Sequence, residues 1–294
     1  MSGQLRELKN RIRSVESTKK ITRAMEMVAA AKLHRFQGMM NSARPYTEAL
    51  EDQVKRLFQA QGSNQGDEVL HPFFEERAPK KIAVVIMTSD TGLCGSYNTD
   101  LVNLAKRFLK DQPSTSEPVF IGVGKSGITA LQREGYDFTG TFTDLRASRV
   151  EEVLKGFKEM LEDLYTSKKV DAIYVIYDHF LTLSTYEGVV EKILPLEKPK
   201  GESSEPDVPY IFEPDPAAIF SRIVPLYFEA KTRMILLEAL VSEQVARMQA
   251  MHLATENAKE MIDSLVLLRN KARQASITKE IIEIVSGSLA LKVN

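Results

Sequence analysis

Cys94 is the only cysteine in 294 residues, so no internal disulfide can form, and no Cys-Cys or Cys-His spacing of metal-ligand type is available for a structural zinc site. A reducing compartment suits such a chain. No stretch approaches the roughly 18 uninterrupted apolar residues of a membrane span, so membrane association is expected only through a partner. Net charge is also lacking: 39 basic against 40 acidic side chains leave −1, which excludes a globally basic nucleic-acid binder. The opening residues MSGQLRE carry no apolar signal segment and read as a mature cytoplasmic N-terminus. A hydrophobic share of 43% and a charged share of 27% are ordinary for a soluble chain with room for about two domains.

Proline and glycine are scarce at both ends. No Pro precedes Pro45, only Gly3 and Gly38 fall in the first 60 residues, and Leu5, Leu8, Ile12 and Val15 recur at spacings of three and four. This predicts a helix from near residue 3 to near residue 57, ending before the polar linker GSNQGD at 62–67. The apolar stripe falters at Lys19 and Lys20 and resumes with Ile21, Met25 and Val28, which reads as a stutter in a heptad pattern. The balanced total also hides a segregation. Residues 1–40 hold nine Lys/Arg against three Glu, a local +6, leaving −7 for the other 254 residues. Such an arm is either a solvated basic face or a surface for an acidic partner.

From Lys80 onward short apolar runs alternate with helical patterns. Residues 82–88, 119–123 and 172–177 read as buried strands, 99–110, 126–133 and 150–165 as helices, and 185–194 as a further strand, so a small parallel α/β sheet is expected. A Pro- and Ser-rich loop follows. Beyond Pro225 neither Pro nor Gly occurs until Gly287, a run of 61 residues. As one helix it would be about 90 Å long, far more than a globule of this size, with a radius of gyration near 19 Å, could enclose. Met234, Leu237, Val241, Met248, Met251, Ala258, Ile262, Leu265 and Ala272 keep helical spacing, and its small alanines allow close approach. The predicted architecture is therefore α/β: a long antiparallel coiled coil of the N- and C-terminal helices with an inserted small Rossmann-like parallel-sheet domain. Its divisions are a discontinuous shaft at 1–60 and 212–294, a linker at 61–79, the α/β domain at 80–195, and a loop toward the shaft base at 196–211.

Three segments invite chemistry. Gly122-Val123-Gly124-Lys125-Ser126-Gly127 sits where a phosphate loop would, but Val119 stands where a Walker motif needs its first Gly, so an ordinary strand-to-helix turn competes with nucleotide binding. Cys94, in the turn Ser89-Asp90-Thr91-Gly92-Leu93-Cys94-Gly95, has no His nearby in sequence and reads as structural. His179 beside Asp178 lacks a second carboxylate or nucleophile in matching spacing. The segment 277–291 is different, because Ile277, Ile281, Ile284 and Val285 make a helix tip apolar nearly all round. It needs a covering partner, or must fold back on the α/β module. Two further readings remain: a coiled-coil adaptor for an acidic partner, and a small nucleotide-binding enzyme with helical extensions.

The string RIRSVESTKKITRAMEMVAAAKL at 11–33 resembles the N-terminal motif of the gamma subunit of bacterial F-type ATP synthases. So do SEQVARMQAM at 242–251, NKARQASIT at 270–278 and the Ser89–Gly95 turn, in an order that agrees over essentially the whole chain. The resemblance implies a central rotor subunit that holds no catalytic, cofactor-binding or metal-binding residue. It implies one copy per complex, threaded through the hexamer of alpha and beta subunits, with its base on the c-ring beside the epsilon subunit. The membrane is then met only through that ring, at the cytoplasmic face of the bacterial inner membrane, and proton flow drives the coupling. It places Arg23, Met25, Arg273, Gln274, Ile277, Ile281, Ile284, Val285 and Leu289 against the alpha/beta hexamer, and Tyr210, Phe212 and Glu213 against the c-ring and epsilon. Gly287-Ser288 stands where the family commonly has Gly-Ala. The added hydroxyl can bond back to its own helix, so no functional loss is expected. The chloroplast relatives' regulatory cysteine pair is absent, and with it their redox switch.

Overall fold

The computed structural model describes residues 2–61, 71–112, 117–182, 185–198 and 215–292. They fall into two compact units, Met1–Ala29 with Met248–Asn294, and Ala30–Arg247. Ten elements carry the fold: α1 (Ser2–Gln61), β1 (Lys81–Met87), α2 (Tyr97–Asp111), β2 (Glu117–Val123), α3 (Lys125–Gln132), β3 (Phe138–Phe142), α4 (Val150–Thr166), β4 (Ala172–Thr182), β5 (Thr185–Leu194) and α5 (Pro216–Lys292).

The larger unit is built on a five-stranded sheet in the order β3-β2-β1-β4-β5. β1 is the central strand. Its sequence KIAVVIM is buried everywhere except at Lys81, because helices cover both faces. Ile82, Val84 and Ile86 pack with Tyr97, Leu101 and Ala105 of α2, spaced by four so that one helical face meets the sheet. On α4, Phe157 meets Phe142 of β3 edge-on at 5.5 Å, and Met160 lies over Gly140, where a Cβ would come within 2.3 Å of its sulfur. Strands β1 to β4 are parallel, whereas β5 runs antiparallel to β4, so the sheet is mixed where a parallel one was expected. Only residues 183–184 separate the last two strands, and a parallel connection needs a crossover of a dozen residues or more. β3 was not anticipated, because its sequence FTGTF dilutes the apolar signal with Thr and Gly. Between α1 and β1 a turn of 3-10 helix, Pro72–Phe74, buries Phe73 and Phe74. Phe74 packs against Phe58 of α1, and Phe73 against Phe228 of α5.

Within the smaller unit α1 and α5 pair antiparallel. Thr22 Oγ1 lies 2.8 Å from Thr255 Oγ1, and one turn on, Glu26 Oε1 lies 3.2 Å from His252 Nδ1. The inward positions of α1 are Leu5, Leu8, Ile12, Val15, Lys19, Thr22, Glu26 and Ala29, a strict alternation of three and four. α5 answers with Met251, Thr255, Ala258, Ile262, Leu265, Arg269, Ala272 and Ser276. The expected stutter is therefore absent. Polar residues occupy the seam without breaking its period, while Ile21 and Val28 point outward at 57% and 56% exposure. The same spacing recurs on α1 in the larger unit at Leu33, Phe36, Met40, Ala43, Thr47, Leu50, Val54 and Leu57.

With Thr22 against Thr255, the first turn of α1 falls opposite the neighbourhood of Ser276, the last half-buried residue of α5 among the described side chains. Every side chain over 277–286 is exposed. At the Thr pair, Thr22 also points its hydroxyl at the Lys19 carbonyl (3.1 Å) and Thr255 at the Met251 carbonyl (2.8 Å). Two hydroxyl protons thus serve three contacts, and one contact is always unmade. Replacing both partners by apolar residues of the same shape strands no donor or acceptor, since both carbonyls lie within helices. We expect Thr22→Val/Thr255→Val to unfold in urea within about 1 kcal/mol of the parent chain, or later. A loss well beyond 2 kcal/mol, on the scale of a broken buried network, would contradict this account of the seam.

Candidate partner-contact surface

The turn after β1 is held by its own side chains. The Ser89 amide donates to Asn98 Oδ1 (2.9 Å), the Asn98 amide donates to Ser89 Oγ (2.8 Å) and Cys94 Sγ (3.2 Å), and the Ser89 hydroxyl donates to the Thr91 carbonyl (2.7 Å). Leu93 takes a left-handed φ of 65° and presents its side chain to solvent. Cys94 is buried and its thiol pKa is pushed up by that burial, which suits the structural role read from the sequence. A second anchor comes from α5, where residues 235–247 are buried on every face, an unusual setting for Glu238, Ser242, Glu243, Gln244 and Arg247. Arg247 donates to Glu243 Oε1 (2.6 Å), to the Thr91 carbonyl (2.9 Å) and to Thr91 Oγ1 (3.2 Å). Burial raises the Glu243 pKa and the Arg247 guanidinium opposes it. The Ser89–Gly95 turn and the 242–251 string, far apart in sequence, are thereby joined.

The glycine-rich turn before α3 is occupied by the protein itself. Asp90 Oδ1 accepts from the Lys125 amide (3.2 Å), the Ser89 carbonyl from Ser126 (3.0 Å), and Thr88 Oγ1 from Gly127 (2.9 Å). No amide of this first turn is left for a phosphate, so the turn reading holds. Gly124 is required there because φ is +87° and a Cβ would lie 2.0 Å from the Thr88 carbonyl oxygen.

His179 does have a carboxylate partner, contrary to the sequence expectation. Glu238 Oε2, 59 residues on, lies 2.6 Å from His179 Nδ1 and ties β4 to α5. Asp178 points inward, 3% exposed, its Oδ2 without a hydrogen bond among the described residues. Burial, then the Asp100 charge, push its pKa up to about 7. Gly188 sits opposite it on β5, where a Cβ would come within 3.3 Å of Asp178 Oδ1. No group of His, Cys, Asp and Glu among the described residues could hold a metal ion, and no described helix is long and apolar enough to cross a membrane.

Of the proposed hexamer contacts, Arg273, Gln274, Ile277, Ile281, Ile284 and Val285 are exposed on α5, with Ile284 71% open. Arg23 is also exposed but is ion-paired to Glu26 at 2.8 Å, and Met25 is half-buried rather than open. Arg23 lies opposite the 252–255 turn, roughly 27 Å along the helix from Arg273, so the candidates form two patches and not one. The side chain of Leu289 and the whole of Tyr210, Phe212 and Glu213 lie outside the described residues. Exposed residues that the sequence reading missed include Ile282, Leu253, Met261, Leu267 and Leu268 on α5, and Ile21, Met27 and Val28 on α1. Apolar residues falling off the seam period were the signal for them.

A family profile described as ATP synthase matches residues 4–291. The ATP synthase gamma chain of Desulforamulus reducens is 40% identical over 287 residues, covering 98% of this chain and 99% of that one. The chain belongs to the ATP synthase gamma family. The gamma chain of Moorella thermoacetica is likewise 40% identical, over 290 residues, covering 99% of this chain and all of the other. Among solved structures, a rotational state of the Euglena gracilis mitochondrial ATP synthase (OSCP/F1/c-ring) aligns with a TM-score of 0.65 at 15% identity, covering 99% of this chain and 95% of that one. The central stalk/c-ring of the Tetrahymena thermophila enzyme aligns at 0.59 and 22%, covering 80% and 99%. At such identities these two matches speak to fold alone.

Two outcomes are expected of the buried polar groups. Arg247→Ala strands Glu243 and should cost about 3–5 kcal/mol in urea unfolding, whereas Glu243→Leu/Arg247→Met should recover most of that loss. Asp178→Asn should be the more stable form at neutral pH. The folded-state pKa of Asp178 is raised, so its stability contribution is full below the unfolded value and is lost as pH rises through about 7. The advantage of the Asn variant should therefore grow between about pH 4 and pH 7 and level off above, measured as urea midpoints across that range.

Proposed function

We propose that this chain is the central rotor subunit of a proton-translocating F-type ATP synthase, coupling rotation of a c-ring to conformational change at catalytic beta sites. The observation that carries the reading is the single helix over 277–286. It leaves its partner and exposes Ile277, Ile281, Ile282, Ile284 and Val285 together. A shaft inside a sleeve meets a different subunit at each angle, and broad apolar contact tolerates that change better than bidentate polar pairs, whose geometry is fixed. Each angle stabilises one beta conformation over another, a mechanical version of population shift.

In this reading the polypeptide supplies no catalytic residue. Arg273 and Gln274 hydrogen-bond a loop of the surrounding alpha/beta hexamer, Arg23 and Met25 form a lower contact, and Leu289 continues the tip. Tyr210, Phe212 and Glu213 meet the c-ring and epsilon. One copy serves each complex, at the cytoplasmic face of the bacterial inner membrane, which it meets only through the ring. The discontinuous division, with a shaft at 1–60 and 212–294 around an α/β domain at 80–195, is part of the same proposal.

Arg273 and Gln274 are exposed, so Arg273→Ala/Gln274→Ala should leave the circular dichroism melt within about 0.5 kcal/mol of the parent. In complexes reconstituted with alpha and beta subunits it should lower assembly yield or coupled turnover. Parent-level turnover in the double variant would remove these two contacts from the proposal.

A further inference from the structure

The larger unit holds a cavity of about 550 Å³ at the carboxyl ends of β1, β2 and β3, the end of an α/β sheet at which ligands collect. Its charged lining is unevenly satisfied. Each carboxylate is already engaged: Asp90 accepts the Lys125 and Leu145 amides at 3.2 and 2.8 Å, Asp144 pairs with Arg146 and Arg149 at 2.6 and 2.9 Å, and Glu243 pairs with Arg247 at 2.6 Å. Three cations on the same lining, Lys32 and Arg35 from α1 and Lys125 from α3, have no ion-pair partner among the described residues. Gln244, 3% exposed, lines the cavity too. Its Nε2 donates to Glu243 Oε1, and its own Oε1 is buried out of reach of the cavity.

The three cations outnumber Asp90, the one lining carboxylate without a cationic partner among the described residues, and an excess of Lys and Arg side chains selects an anion. A phosphate, with several oxygens for charge-assisted hydrogen bonds, is that kind of group. We propose that this cavity binds a small phosphate-bearing anion through the side chains of Lys32, Arg35 and Lys125. The binding is by side chains because the first-turn amides of α3 are already taken by Asp90, Ser89 and Thr88. It requires neither rotation nor any partner subunit, so it stands apart from the rotor reading.

The test is isothermal titration of the full chain with inorganic phosphate, pyrophosphate and ADP, with adenosine as the phosphate-free control. Saturable single-site binding of at least one phosphate-bearing probe, and none of adenosine, is the expected result. Equal affinity for pyrophosphate and ADP assigns recognition to the phosphates alone, and tighter ADP adds the nucleoside; both support the site. Lys32→Ala/Lys125→Ala, two exposed positions whose variant should keep the parent melt, should weaken binding roughly tenfold or more, while Lys259→Ala in the smaller unit should leave it unchanged. Absence of saturable binding by all three probes, or binding that survives the double variant, would overturn the proposal.

Discussion

Helix α5 is longer than the helix that covers it. In the smaller unit the pairing register set by Thr22 and Thr255 exhausts α1 near Ser276, and α5 continues to Lys292. Water is an expensive neighbour for the isoleucines that follow, at about 25 cal/mol per Å² of apolar surface left uncovered. A free chain gains nothing from placing them there. They become favourable only when another protein surrounds the tip, and it is this constraint that gives an otherwise ordinary helix pair a partner. The seam below it mixes both kinds of residue: Leu5, Leu8, Ile12, Val15, Met251, Ile262 and Leu265 supply apolar bulk, and Lys19, Thr22, Glu26, Thr255 and Arg269 share its period with them.

The larger unit handles a different problem, a helix buried on all sides. Over 235–247 the α5 backbone satisfies itself, but Glu243 and Arg247 must be satisfied by each other and by Thr91. That need ties the turn after β1 to α5, and the turn in turn supplies Asp90, Ser89 and Thr88 to the start of α3. One chain of hydrogen bonds thus runs from helix to turn to helix. It explains why glycine stands at 124, where the backbone of Thr88 leaves no room for a side chain. The glycine pattern that resembles a phosphate loop is a packing requirement; of the cavity's unpaired cations, Lys125 belongs to that pattern and Lys32 and Arg35 come from α1.

Much of this was legible in the sequence, for physical reasons that can be named. Long runs without Pro or Gly and apolar residues at three-and-four spacing carried both terminal helices, and β-branched runs carried β1, β2 and β4. Failures occurred where two patterns compete. Ile21 and Val28 keep helical spacing with each other, so they read as seam, while Thr22 and Glu26, the true inward positions, look like surface. β3 was lost because Thr and Gly at its centre carry little apolar signal. The His179–Glu238 pair joins residues 59 apart, a proximity set by the docking of α5 and by nothing local. The proposed contact residues rest on resemblance and not on spacing. Spacing alone marked only the apolar tip.

The central claim is that this chain turns inside a fixed sleeve. It is tested most directly by reconstituting it with alpha and beta subunits, immobilising the hexamer, and following a probe attached to the α/β domain of the chain by single-molecule microscopy while ATP is supplied. The account predicts unidirectional rotation that pauses at three equally spaced angles and stops when ATP is withdrawn. ATP hydrolysis by the same complexes with the probe held at one angle would contradict it.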